Sequence, residues 1–143
     1  MKSSHITVEN HVIVFMDIHE YSIAMKMLGK NQYGGFLQEF YETLGDIIVA
    51  YNGEIIKYMG DALLCVFPAD SESDAIQCAL ELRKAYFELV RRKQITHETE
   101  LEIGISSGEI EIGIIGHPSL RQKDVFGEEV NRAATIGHHR GIA

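Results

Sequence analysis

The stretch that decides the fold is Lys57-Tyr58-Met59-Gly60-Asp61-Ala62-Leu63-Leu64-Cys65-Val66-Phe67, KYMGDALLCVF. Two apolar runs, "EII" before it and "ALLCVF" within it, flank a Gly-Asp pair. That pattern predicts a β-hairpin over residues 54–67 with its turn at Gly60-Asp61. Upstream of the hairpin, Gly34–Gly53 carries Phe36, Phe40, Leu44, Ile47 and Tyr51 on one helical face, stopped by Asn52-Gly53. Residues 11–16, HVIVFM, form a compact, partly β-branched apolar run and read as a buried strand. After the hairpin, Ser71 with Asp74 resembles a helix-capping box. Ala75, Cys78, Ala79, Leu82, Tyr86 and Leu89 give the helix that follows a core stripe. Leu101–Gly116 alternates around Ser107-Gly108 and predicts a second hairpin. EEVNRAATI predicts a short helix, and the final GIA the opening of another strand. The order β-α-β-β-α-β-β-α-(β) implies an α+β sandwich on one mixed sheet.

A chain of 143 residues supports one domain with a substantial core. The expected division is an N-terminal segment, 1–10, and a domain spanning 11–143. Hydrophobic residues make up 45% of the chain and charged residues 24%, an ordinary globular composition. The net charge of −8 argues against nucleic-acid binding through a basic surface. Arg91, Arg92 and Lys93 read as the solvated C-terminal end of a helix. No apolar run reaches the ~20 residues of a membrane helix, and the N-terminus lacks the apolar core of a signal peptide. Cys65 and Cys78 fit no metal or redox spacing and read as small buried side chains. A reducing, cytoplasmic location is expected.

The chemistry starts from Asp61. Asp17 stands at the end of the first apolar run, where open sheets place ligand-binding groups. If that strand pairs with the hairpin, the two carboxylates converge and repel unless a cation joins them. A hard cation such as Mg²⁺ or Mn²⁺, shared with substrate phosphates, is one resolution, and simple turn or cap roles are the other. The loop Ile18-His19-Glu20-Tyr21-Ser22 leads into a helix. It either turns its N–H groups toward a phosphate or is a loop capped by Ser22.

Four stretches taken together resemble class III nucleotidyl cyclases: VIVFMDIHEYS (12–22), GEIIKYMGDALLCVF (53–67), IGISSGEIEIGIIG (103–116) and KDVFGEEVNRAA (123–134). They occur in the family's order. The resemblance implies a ferredoxin-like βαββαβ core and conversion of ATP or GTP to the cyclic nucleotide and pyrophosphate, at a site shared by two catalytic domains. Two Mg²⁺ or Mn²⁺ ions are implied, held by Asp17, Asp61 and the Ile18 carbonyl. Residues Ile18, His19, Glu20, Tyr21 and Ser22 match the phosphate-binding turn. Lys57 and Asp124 match the base-selecting pair, and Asn131 a substrate-orienting residue. An ammonium donating to an adenine ring nitrogen, with a carboxylate accepting from its amine, favours ATP. Guanine would set a carbonyl against the carboxylate, a mismatch worth ~1–3 kcal/mol. The implied partners are ATP, a second copy of the chain, and a regulatory domain or second cyclase chain.

Three features depart from the family pattern. Thr135 occupies the position of its transition-state arginine, and Arg140 is the nearby candidate to replace that charge. Glu20 stands where the phosphate turn usually has glycine. The family's last strands and a triphosphate-binding lysine are expected beyond Ala143, so the C-terminal strands are expected to be missing or cut short. His138-His139 reads as a solvated pair rather than a metal pair. The alternative to an adenylate cyclase is a weak or inactive cyclase-like regulatory module that binds nucleotide or a partner chain.

Overall fold

In the computed structural model, which describes residues 5–138 and 141–143, nine elements follow one another. They are β1 (Ile6–Ile18), α1 (Tyr21–Met25), α2 (Tyr33–Ala50), β2 (Glu54–Met59), β3 (Ala62–Pro68), α3 (Glu72–Arg92), β4 (Leu101–Ile115), β5 (Gln122–Phe126) and α4 (Glu128–Ile136). The five strands form one sheet in the order β2-β3-β1-β4-β5, with every neighbouring pair antiparallel. The expected α+β sandwich with a βαββαβ core is present. The parallel component of the expected mixed sheet is confined to one bridge, Ile142 beside Ile103.

Residues 12–16 of β1 are apolar without interruption because both faces of the strand are covered there, whereas residues 6–10 are exposed. Val12, Val14, Met16 and Ile18 face α2 and α3, while Ile13 faces the opposite side with Leu64, Val66, Ile110 and Ala133. On α2 the buried stripe is Phe36, Phe40, Leu44 and Ile48. Ile47 and Tyr51, expected on that stripe, pack at its margin. Phe40 meets Tyr86 of α3 edge-on, with ring centroids 5.9 Å apart. Each side chain buried to this degree contributes ~1.5–3 kcal/mol. The helix stops as expected: Asn52 takes a left-handed φ of 65°, and the Gly53 N–H closes onto the Ile48 carbonyl at 2.9 Å. The predicted α3 stripe is buried throughout. Both cysteines are free and buried, and burial pushes the Cys78 thiol up to about 12. Arg91 pairs with Glu88, and Arg92 and Lys93 both pair with Glu39, so two carboxylates offset most of the charge of this basic cluster within the fold.

Three local expectations are corrected. β1 begins at Ile6 rather than His11, because residues 6–10 continue the ladder against 113–109 of β4. Ser107-Gly108 is not a turn: β4 runs straight through it, held by an unbroken register with β1. The true hairpin joins β4 to β5, a strand the sequence pattern did not reveal. Ser71 does not cap α3 with its side chain; its hydroxyl donates to the Pro68 carbonyl instead.

One glycine sets the position of α4. A Cβ at Gly104 would lie 1.9 Å from the Ala133 carbonyl oxygen, so only glycine lets α4 sit directly on β4. The sheet also curls until its two edges touch. Lys123 of β5 pairs with Glu54 of β2 at 2.6 Å.

Candidate active site

Asp17, half-buried, lies one residue before the end of β1 on the face that carries α4, and Asp61 sits in the β2–β3 turn. The register of β1 with β3 brings them together, and the Ile18 N–H donates to Asp61 Oδ2 at 3.1 Å. The turn is fixed by Gly60, with a left-handed φ of 63°, and by the Tyr41 hydroxyl, which donates to the Gly60 carbonyl. The Tyr41 ring in turn packs on Tyr58, centroids 4.2 Å apart.

The structure adds a residue that sequence reasoning missed. Glu102 lies directly across from Asp17 in the β1–β4 ladder and is 6% exposed. A charged residue inside the apolar strand LEIGI was the available signal. The His19 Nδ1 lies 2.9 Å from Glu102 Oε2, and the His138 Nδ1 lies 3.9 Å from Asp17 Oδ2. Burial, then the charges of Glu102 and Asp61, push the Asp17 carboxyl up to about 6, with His138 acting in the opposite direction. Among the described residues no lysine or arginine pairs with these three carboxylates, and such a group fits a cation, which would remove the repulsion that Asp17 registers.

The predicted phosphate turn is a tight one. Glu20 adopts φ 54°, ψ 44°, the left-handed conformation glycine accepts without strain. Its carbonyl accepts from Ile23 and Ala24, which starts α1. Its carboxylate turns to His97 in the loop after α3, at 2.8 Å from Nε2. The same oxygen lies 3.7 Å from the His19 Nε2. Thr99 Oγ1 donates to the His19 carbonyl at 2.7 Å, bracing the same turn. Ser22 lies inside α1 and is not its cap.

Lys57 and Asp124 meet at 2.9 Å, across the seam where β2 and β5 touch. A β-bulge between Ile55 and Lys57 shifts the register so that Lys57 stands opposite Leu64. The second oxygen of Asp124 accepts from the Val125 N–H at 2.8 Å. Their side chains are 29% and 15% exposed, so the pair is partly desolvated. Asn131 and Thr135 are one helical turn apart and both exposed on α4. Arg132 turns back to Glu129 at 3.6 Å. His139 and Arg140 lie outside the described residues.

Residues 4–139 match the sequence profile described as the adenylate and guanylate cyclase catalytic domain. The chain belongs to that family. An adenylate cyclase of Anabaena cylindrica is 28% identical over 130 residues, which cover 87% of this cyclase domain and 26% of that protein. The domain thus spans about a quarter of the length of that relative. The adenylyl cyclase CyaB from P. aeruginosa superposes with a TM-score of 0.83 at 21% identity, over 93% of this chain and 73% of that one. The guanylyl cyclase Cya2 superposes with a TM-score of 0.80 at 25% identity, over 92% and 70%. Likeness therefore extends to cyclases named for either purine. Among the described residues, no helix of the cyclase domain is long and apolar enough to cross a membrane.

Proposed function

We propose that this domain converts ATP to 3′,5′-cyclic AMP and pyrophosphate at a site completed by a second copy of the chain. The observation that carries the reading is the convergence of Asp17 and Asp61, together with the preformed Lys57–Asp124 pair. In this reading Asp17, Asp61 and the Ile18 carbonyl hold two divalent cations, Mg²⁺ or Mn²⁺. Bound there, such ions supply Lewis-acid activation of the ribose 3′-hydroxyl and charge neutralisation on the triphosphate.

The chain's own groups then position the substrate. The turn from Ile18 to Ser22 receives the phosphates, and Glu20 stays clear of them because His97 holds it. Lys57 donates to the adenine ring nitrogen and Asp124 accepts from the exocyclic amine, their mutual bond opening to admit the base. Asp124 is aimed for this by the Val125 N–H. Asn131 reaches the ribose from the exposed face of α4. The Asp17–Asp61 group and the Lys57–Asp124 pair serve opposite halves of a shared site, which makes a two-fold homodimer the working form. In a larger protein, a regulatory domain or a second cyclase chain would act on that dimer.

Thr135 favours a second reading, a slow or silent cyclase-like module, because a short neutral side chain cannot meet charge developing on the α-phosphate. The test is turnover of ATP and of GTP with Mn²⁺, on the chain and on Thr135→Arg. The proposal expects slow cyclic AMP formation with ATP preferred. It expects Thr135→Arg to raise kcat by about tenfold or more with KM nearly unchanged, as a transition-state contact does. GTP turned over faster than ATP would overturn the substrate assignment. Mn²⁺-dependent ATP binding without product in either protein would establish the module instead.

A further inference from the structure

Glu102 has no role in the proposed reaction, yet among the described residues it is the buried charged one. Like charges directly opposite one another in a ladder destabilise a sheet. Here Glu102 faces Asp17 across β4 and β1 with both side chains on the α4 side. The first residues after α4 close the group. Asp17, Glu102 and His138 each bring one ligand atom to within 4.8 Å of the others. The approach is built into the backbone, because Gly104, two residues from Glu102, seats α4 against β4 without room for a Cβ. A second layer supports it. His19 holds Glu102 at 2.9 Å, and His19 itself is fixed by its N–H to the Glu100 carbonyl, at 2.9 Å, and by Thr99 on its own carbonyl. Hydrogen-bonded carboxylate ligands of this kind are the usual outer support of metal centres.

We infer that Asp17, Glu102 and His138 form a binding site for a borderline-soft divalent cation, with Zn²⁺ as its best ligand, distinct in composition from the hard-ion site that uses Asp61. Two carboxylates and an imidazole suit Zn²⁺, whereas Mg²⁺ demands oxygen ligands and octahedral geometry. Zn²⁺ distances of about 2.0–2.2 Å put tetrahedral ligand atoms about 3.4 Å apart. The three groups must therefore draw in by about an ångström. His138, with a side chain 66% exposed, is free to make most of that movement. Three protein ligands leave a fourth position for water or a substrate oxygen. Asp17 is common to both sites, so Zn²⁺ held here withdraws it from the hard-ion pair and antagonises Mg²⁺. Zn²⁺ binding itself requires neither nucleotide nor turnover, so it stands or falls apart from the cyclase reading.

The test is direct binding to the intact chain. Co²⁺ is titrated while its visible absorption is followed, and Zn²⁺ affinity is then measured by competition with a chromophoric chelator. One ion per chain is expected, with the intense bands of low-coordinate Co²⁺. Glu102→Gln and His138→Ala should each weaken Zn²⁺ by about tenfold or more. Asp61→Asn and His117→Ala, the latter on a remote loop, should stay within about threefold of the parent. Unchanged affinity in His138→Ala overturns the site, and that variant decides the matter if Glu102→Gln fails to fold, since it alters an exposed side chain. A loss in Asp61→Asn as large as that in His138→Ala also overturns it, by putting the ion at the hard-ion pair.

Discussion

The same sheet treats charge in two opposite ways. Along the seam between β2 and β5, every carboxylate that matters has an ammonium: Asp124 has Lys57 at 2.9 Å and Glu54 has Lys123 at 2.6 Å. At the end of β1, Asp17, Asp61 and Glu102 gather with no paired lysine or arginine among the described residues. The seam is complete within one chain. It closes the curled sheet and, in the proposed reading, sets a donor and an acceptor side by side for a neutral ring. The end of β1 is incomplete, and its excess negative charge is a demand for a cation. A matched pair thus reads as recognition and an unmatched cluster as metal chemistry, and the two can be broken separately.

The largest effect is expected at the unmatched end. Asp61→Asn keeps an oxygen that can accept from the Ile18 N–H, so it preserves the turn while removing the charge. Calorimetric titration of ATP with Mn²⁺ should show affinity falling about a hundredfold, to the level seen with chelator. If Asp61 only braces the turn, Asn will bind like the parent, and the contrast between the two regions collapses.

A smaller change is expected at the seam. Lys57→Met leaves Asp124 partly buried without its ammonium, and the preference for ATP over GTP in kcat/KM should fall about tenfold. Mn²⁺ dependence should survive, because the carboxylates proposed to hold the cation are untouched. Adding Asp124→Leu should recover stability, since replacing both partners of a desolvated pair is cheaper than removing one, but it should not recover selectivity. A single variant that loses metal dependence and keeps purine preference would reverse the assignment of the two regions.

What was legible in the sequence follows the same division. The hairpin at Gly60-Asp61, the α3 stripe and the Asn52-Gly53 stop were readable because local chemistry dictates them. The meeting of Lys57 with Asp124 rested on the motif resemblance, since nothing local says that edge strands β2 and β5 will touch. Ser107-Gly108 misled because its turn-like composition is overruled by a long ladder to β1. Glu102 was passed over because a single carboxylate in an alternating strand normally faces water. Only the register, which sets it against Asp17, and the seating of α4 over it reveal that it is buried.

The smallest effect concerns the cost of the unmatched cluster itself. The Asp17 carboxyl, pushed up from an ordinary 3.8 to about 6, stays protonated in the folded chain where the unfolded chain has already lost its proton. Between those values the native state binds more protons, so this group's contribution to stability falls as pH rises through the window. Below about 3.8 the contribution is fully neutral, and above about 6 the whole burden of burial and repulsion is carried. Asp17→Asn removes that burden. Without divalent cations it should melt about 3 °C above the parent at pH 7.5 and level with it at pH 3.5, on a penalty of about 1 kcal/mol after allowing for solvent screening. Glu102, which lies across the ladder, is the strongest charge acting on Asp17 after burial. Glu102→Gln should therefore give a similar gain, and the double variant little more than either alone. Saturating Mn²⁺ should erase the advantage of Asp17→Asn, because the parent then gains a cation that the variant holds poorly. A parent and Asp17→Asn that melt alike at every pH, with and without Mn²⁺, would mean that the cluster is already compensated within the chain and that its difference from the seam is one of appearance only.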